Sequence, residues 1–146
     1  VVGFKTHAKL TLIVRREGNE LKRYAHLATG NYHEDTSLRY TDFSLLTSHN
    51  DITADVQTVF QLLTGMGKEL KLKKLLHSPF TLYKTLIRLI EFEREEALLG
   101  KKAQIIIKVN GLTDPKIIQA LYRASQARVK IDLIVRGTCC LRPGIK

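Results

Sequence analysis

The 146-residue chain has no tryptophan, only 7% aromatic residues, three prolines and two cysteines. The cysteines, Cys139 and Cys140, are neighbours and poorly placed to bridge each other, which excludes a disulfide framework and any zinc-type spacing. A reducing compartment follows. No apolar run approaches the roughly 18 residues that a membrane span needs, and no charged, apolar and small-residue succession opens the chain as a signal peptide would. The expectation is a soluble, cytoplasmic protein. Acidic residues are also scarce, 14 against 24 basic, so the formal charge is +10 and points to an anionic partner. Nucleic acid, an acidic membrane surface and a phosphate-rich small molecule are all compatible with that sign. The paucity of aromatics weakens a single-strand stacking platform, and the one dense basic cluster, Lys68 to Lys74, reads plainly as a solvated surface.

Apolar content of 44% suffices for a folded core, and the length suits one domain or two small half-domains. Val1 is not a methionine and falls inside a strand-like pattern, while Pro143 to Lys146 directly follow a strand and a turn. The expectation is a segment of a longer protein, with some functional groups outside it.

Gly3 to Glu17 reads as a strand through the period-two alternation of Thr, Leu, Ile and Val. His7, Lys9, Thr11 and Ile13 then share one face, and Ala8, Leu10, Leu12 and Val14 the other. A neutral imidazole beside a fixed cation is a workable nucleophile for phosphorus, because the ammonium stabilises charge on the phosphate oxygens. An ordinary strand histidine beside an edge lysine would give the same spacing. Glu17 to Glu20 is a turn signal and Leu21 to Ala28 a second strand, so the pair reads as a hairpin. Centring the turn on Gly18 and Asn19 makes paired positions sum to about 37, which sets His7 against Thr29-Gly30-Asn31. Glycine there lets backbone amides approach an anion, and Asn31 can donate to a phosphoryl oxygen; the tripeptide equally suits a plain strand-ending turn.

Tyr32 to Phe43 reads as an irregular surface loop leading into a strand from Phe43 to Leu46. Asp51 suits an N-cap for a helix from Ile52 to Leu63, with Val56, Val59, Phe60 and Leu63 inward and Gly65 and Gly67 as its stop. Ser78-Pro79 marks a domain boundary. Beyond it, Thr81 to Leu99 is an amphipathic helix with Leu82, Leu86, Leu89, Ile90 and Leu98 as inward candidates and Gly100 as its end. Gln104 to Val109 is a strand, Asp114-Pro115 a cap and first turn, Ile117 to Ala127 a helix and Val129 to Val135 a strand. That succession is a βαβ unit. Its parallel strands bring Asn110 and Arg136 to one sheet edge, where α/β ligands bind and a guanidinium fork can meet phosphate oxygens. Arg136 could equally cap a strand end and face solvent.

Lys5-Thr6-His7-Ala8-Lys9, His26 to Tyr32, Ser78 to Leu82, Asn110 to Ile118 and Ile131 to Gly144 together resemble, in collinear order, the bacterial polyphosphate kinase family of the phosphohistidine type. The resemblance implies an α/β fold made of parts of two phospholipase D-like mixed-sheet domains. Residues 1–77 would be the back half of the first, with the hairpin, and 78–146 the front half of the second, with the βαβ unit. It implies a catalytic set of His7, which becomes phosphorylated, Lys9 and His26. It implies ATP contacts by Tyr40 and Arg136, and the hairpin register and the βαβ edge add Asn31 and Asn110 to that ATP-binding set. His26 would orient or exchange protons near His7, or else be a buried structural histidine.

Mg²⁺ is the implied cofactor, its linked arginines lying before Val1, with no metal ligand within the segment and a further nucleotide-side histidine after Lys146. The implied partners are ATP or ADP and inorganic polyphosphate, with no specific nucleic acid and a homo-oligomer in the full-length protein. The implied location is cytoplasmic, with peripheral attachment to the inner membrane face left open. Leu10 to Val14 holds no aspartate, a departure from the phospholipase D signature that favours phosphoryl transfer over phosphodiester cleavage. A phospholipase D-like hydrolase or transferase and a non-enzymatic polyanion-binding module stay as alternatives.

Overall fold

The computed structural model describes Gly3, residues 5–66 and residues 71–145. The chain divides into two units, 1–75 and 76–146. In the first, β1 (Lys9–Glu17) and β2 (Glu20–Ala28) form an antiparallel hairpin, and β3 (Ser44–Thr47) pairs with β2 on its other side. Paired residues of the hairpin sum to 37 throughout, from Lys9 with Ala28 to Glu17 with Glu20. Gly18 supplies the positive φ of 60° that the tight turn demands. At the tip Glu17 accepts from the Tyr24 hydroxyl at 2.7 Å and pairs with Lys22 at 3.2 Å, which together hold its carboxyl below the usual range.

α2 (Asn50–Leu63) covers one face of this sheet, burying Ala25 and Val56, and Gln57 accepts from Arg23 at 2.7 Å. Asp51 is not its N-cap. His49 holds that position without a side-chain cap, and Asp51 lies in the first turn, where its carboxylate accepts from Lys73 Nζ at 2.9 Å. Leu63 is exposed rather than inward, while Thr53 and Asp55 are buried. The predicted loop contains a short helix, α1 (Glu34–Ser37), and the following strand starts at Ser44, one residue later than its pattern suggests. Gly65, at φ 77°, ends the region after α2; Gly67 and the Lys68 to Leu70 part of the basic cluster lie outside the described residues.

In the second unit α3 (Leu82–Leu98), β4 (Gln104–Val109), α4 (Pro115–Gln126) and β5 (Lys130–Val135) follow one another. β4 and β5 pair in parallel, as a βαβ connection requires. Asp114 caps α4, accepting from the Lys116 and Ile117 amides at 2.9 Å, with Pro115 in the first turn. Ile118, Leu121 and Ala124 of α4 bury against Ile90 of α3 and Val129. Arg123 reinforces the helix pair through Glu91 of α3, whose carboxyl it holds below the usual range. Only Ile90 is fully buried on α3. Leu86, Leu89 and Leu98, expected inward, are exposed, because Ile87, Ile90 and Ala97 supply the packed stripe. The strands alternate between half-buried and exposed positions, with Ile106 and Ile134 on the uncovered face. The fold is therefore mixed α/β, with one antiparallel and one parallel sheet among the described residues.

Candidate active site

His7 lies two residues before Lys9, the first residue of β1. The Lys9 side chain folds back so that Nζ donates to the His7 carbonyl at 2.9 Å and lies 3.2 Å from Nδ1 and 3.0 Å from Nε2 of the ring. A phosphoryl group on either ring nitrogen would have the ammonium within reach of its oxygens. His7 is exposed to solvent and Lys9 half-buried. They line a shallow pocket with Thr6, Leu10, Asn31 and Tyr32. The hairpin register is what brings the Asn31 turn to His7, since position 30 is the counterpart of position 7 when pairs sum to 37. The Asn31 side-chain amide has no partner among the described residues and is available to an anion.

His26 pairs across the ladder with Thr11, so its side chain leaves the sheet on the Lys9 and Thr11 face. It does not bond to His7. Its Nδ1 lies 2.8 Å from the Tyr32 hydroxyl, which in turn accepts from Thr11 Oγ1 at 3.1 Å. Tyr32 thus touches His26 and also lines the His7 pocket. Nothing in the sequence reading gave Tyr32 or Thr11 a role. The available signal was positional: an aromatic follows directly on the turn that faces His7.

The turn itself is tied down. Thr29 exchanges backbone and side-chain bonds with Phe43 and donates from Oγ1 to Asp42 at 2.9 Å. The Asp42 carboxylate packs where a Cβ of residue 30 would stand, so glycine is required there for close approach. Tyr40 is exposed on the same loop, two residues before Asp42, and is not among the residues lining the His7 pocket.

In the second unit neighbouring backbone bonds bring Asn110 and Arg136 to the same end of the sheet. Arg136 N donates to the Val109 carbonyl at 3.1 Å and Gly137 N to the Asn110 carbonyl at 2.8 Å, extending the β4–β5 ladder past both carboxyl ends. A Cβ on Gly137 would lie 2.9 Å from the Asn110 oxygen. Leu112 continues the pairing with Thr138 and Cys140. Both Asn110 and Arg136 therefore stand at one sheet edge, at the place where ligands of parallel sheets bind.

Two family models match the chain, polyphosphate kinase C-terminal domain 1 over residues 1–69 and polyphosphate kinase C-terminal domain 2 over residues 75–146. The chain belongs to the polyphosphate kinase family. It is 61% identical over 145 residues to a polyphosphate kinase of Pseudomonas aeruginosa, covering 99% of this chain and 21% of that protein. Against a polyphosphate kinase of Neisseria meningitidis serogroup C it is 58% identical over its whole length, again 21% of the relative. The crystal structure of the polyphosphate kinase from Porphyromonas gingivalis matches with a TM-score of 0.88 and 40% identity, over 99% of this chain and 22% of that one. The chain thus spans about a fifth of the length of these polyphosphate kinases.

Proposed function

We propose that this chain carries part of the active site of an ATP:polyphosphate phosphotransferase, which moves the γ-phosphoryl group between ATP and inorganic polyphosphate through a phosphohistidine on His7. The single observation that carries the reading is the Lys9 ammonium held 3.0 to 3.2 Å from both His7 ring nitrogens in a solvent-open pocket. An imidazole nitrogen attacks the γ-phosphorus, ADP leaves with the bridging oxygen, and the phosphorus–nitrogen bond is later broken by a terminal oxygen of the polymer. Lys9 and Asn31 serve the equatorial oxygens. Arg136 and Asn110 hold phosphate oxygens at the βαβ edge, and Tyr40 takes the adenine side. The net charge of +10 suits a polyanionic substrate.

The two units are read as the back half of one phospholipase D-like domain (1–77) and the front half of another (78–146). The full-length protein is read as a cytoplasmic homo-oligomer without a specific nucleic-acid partner, peripheral attachment to the inner membrane face being compatible with it. No helix among the described residues is long and apolar enough to cross a membrane. Mg²⁺ would supply charge neutralisation at the phosphates when bound. Its ligands are read as lying outside this segment, and no step above runs through the ion.

The test is incubation of the complete protein with γ-labelled ATP. Wild type should acquire an acid-labile, base-stable label, and His7→Ala and His7→Gln should both lose it together with activity in both directions. A label retained by His7→Ala would remove the mechanism. Labelling by a phosphodiester instead would favour a phospholipase D-like transferase.

A further inference from the structure

The Tyr32 hydroxyl stands between two hydrogen-bonding groups. The Tyr32 oxygen lies 3.1 Å from Thr11 Oγ1, which can donate to it, and 2.8 Å from His26 Nδ1, within reach of the tyrosine's own hydrogen. With the tyrosine's hydrogen directed at it, Nδ1 carries none, and the imidazole's own hydrogen sits on Nε2. Nε2 has no partner among the described residues. The two rings also touch, with centroids 5.5 Å apart and planes inclined at 38°, which restrains the imidazole's orientation.

The sheet carries these groups to one place. Thr11 and His26 are cross-strand partners on the face that also holds Lys9, and Tyr32 belongs to the wall of the His7 pocket. We propose that Tyr32 is a positioning residue, which locks His26 with its hydrogen on Nε2 and so offers that N–H to the oxygens of a phosphate chain lying along the hairpin face beside His7 and Lys9. His26 is then a hydrogen-bond donor to the ligand rather than a base or a core histidine. The ligand class is an oligophosphate, including the triphosphate of a nucleotide. This inference rests on reading the His7 pocket as a phosphate site.

The experiment uses the complete protein labelled with ¹⁵N-histidine, with His26→Gln to assign the resonance. In wild type His26 should have a bare Nδ1 and a hydrogen on Nε2, and tripolyphosphate should shift the Nε2 signal. Tyr32→Phe keeps the ring but removes the hydroxyl; the fixed tautomer and the tripolyphosphate shift should be lost. Its kcat should fall about tenfold with KM for ATP within about twofold, the size expected for one lost hydrogen bond. Thr11→Val, which removes the group that can donate to the Tyr32 oxygen, should move both readouts the same way by less.

A hydrogen on Nδ1 in the wild type would overturn the proposal, as would Tyr32→Phe losing the tautomer while kcat stays unchanged. If the His7 label is absent while the tripolyphosphate shift and its dependence on Tyr32 persist, the phosphohistidine reading fails and the positioning role stands.

Discussion

At Gly30 a methyl group would fall inside the van der Waals surface of the Asp42 carboxylate, which is itself held by the Thr29 hydroxyl at 2.9 Å. Gly30→Ala should therefore break the Thr29–Asp42 bond and push the Tyr40 loop away from the turn opposite His7. The cost should be about 1 to 2 kcal/mol of stability, measured by chemical denaturation, with Asp42→Ala in the same chain recovering most of it in a double-mutant cycle. Additive losses would place the strain elsewhere. The sequence could announce that Gly30 faces His7, because hairpin register is arithmetic once the turn is known. It could not announce Asp42, twelve residues away, since the loop between them has no period from which to compute a contact. Tyr32 escaped for a related reason: its partners Thr11 and His26 lie 21 and 6 residues off, joined only by the way the turn folds back.

Elements whose limits are set by local chemistry were legible nearly to the residue. β4 is Gln104–Val109 as its pattern predicts, and α4 starts at the Asp114-Pro115 cap. α2 was read correctly as a helix and wrongly at its start, because the Asp51 carboxylate is taken by Lys73, 22 residues distant, and His49 holds the cap position. Its buried Asp55, 2% exposed, is a non-local feature of the same sort. One carboxylate accepts from the amides of Lys73, Lys74 and Leu75 at 2.7 to 3.0 Å and so anchors the described end of the basic segment onto the helix.

Burial pushes the Asp55 carboxyl up, but the three amide bonds together outweigh it and hold it below its ordinary value. A group depressed in the folded state contributes stability above its unfolded pKa, near 4, and loses it as pH falls through the folded value. Asp55→Asn should cost roughly 1 to 3 kcal/mol at pH 7, since one acceptor becomes a donor facing donors. The deficit should shrink in urea melts taken below about pH 4. A deficit independent of pH would mean that the charge is not what grips the segment.

Across the whole molecule, the composition was a good guide to sign and a poor guide to coverage. The +10 charge pointed to an anion, and the family it belongs to is named for one. Periodicity located the apolar stripe of α3 but could not divide it, because Leu86 and Leu89 are as apolar as Ile87 and Ile90 and only packing tells which side meets α4. Leu86, Leu89, Phe92, Ile106 and Ile134 consequently remain at 40 to 65% exposure. Those side chains make the 146-residue chain a colloid with two opposed tendencies. Like charge keeps copies apart while its field reaches about 10 Å at 0.1 M salt, and at 1 M that reach shrinks to about 3 Å, within which oily surface attracts oily surface. Light scattering should find separate particles in dilute buffer and clusters as sodium chloride rises, the reverse of an assembly held by ion pairs. Mild detergent should disperse the clusters, and the complete protein, if its remaining four fifths cover these side chains, should scatter alike at both salt concentrations.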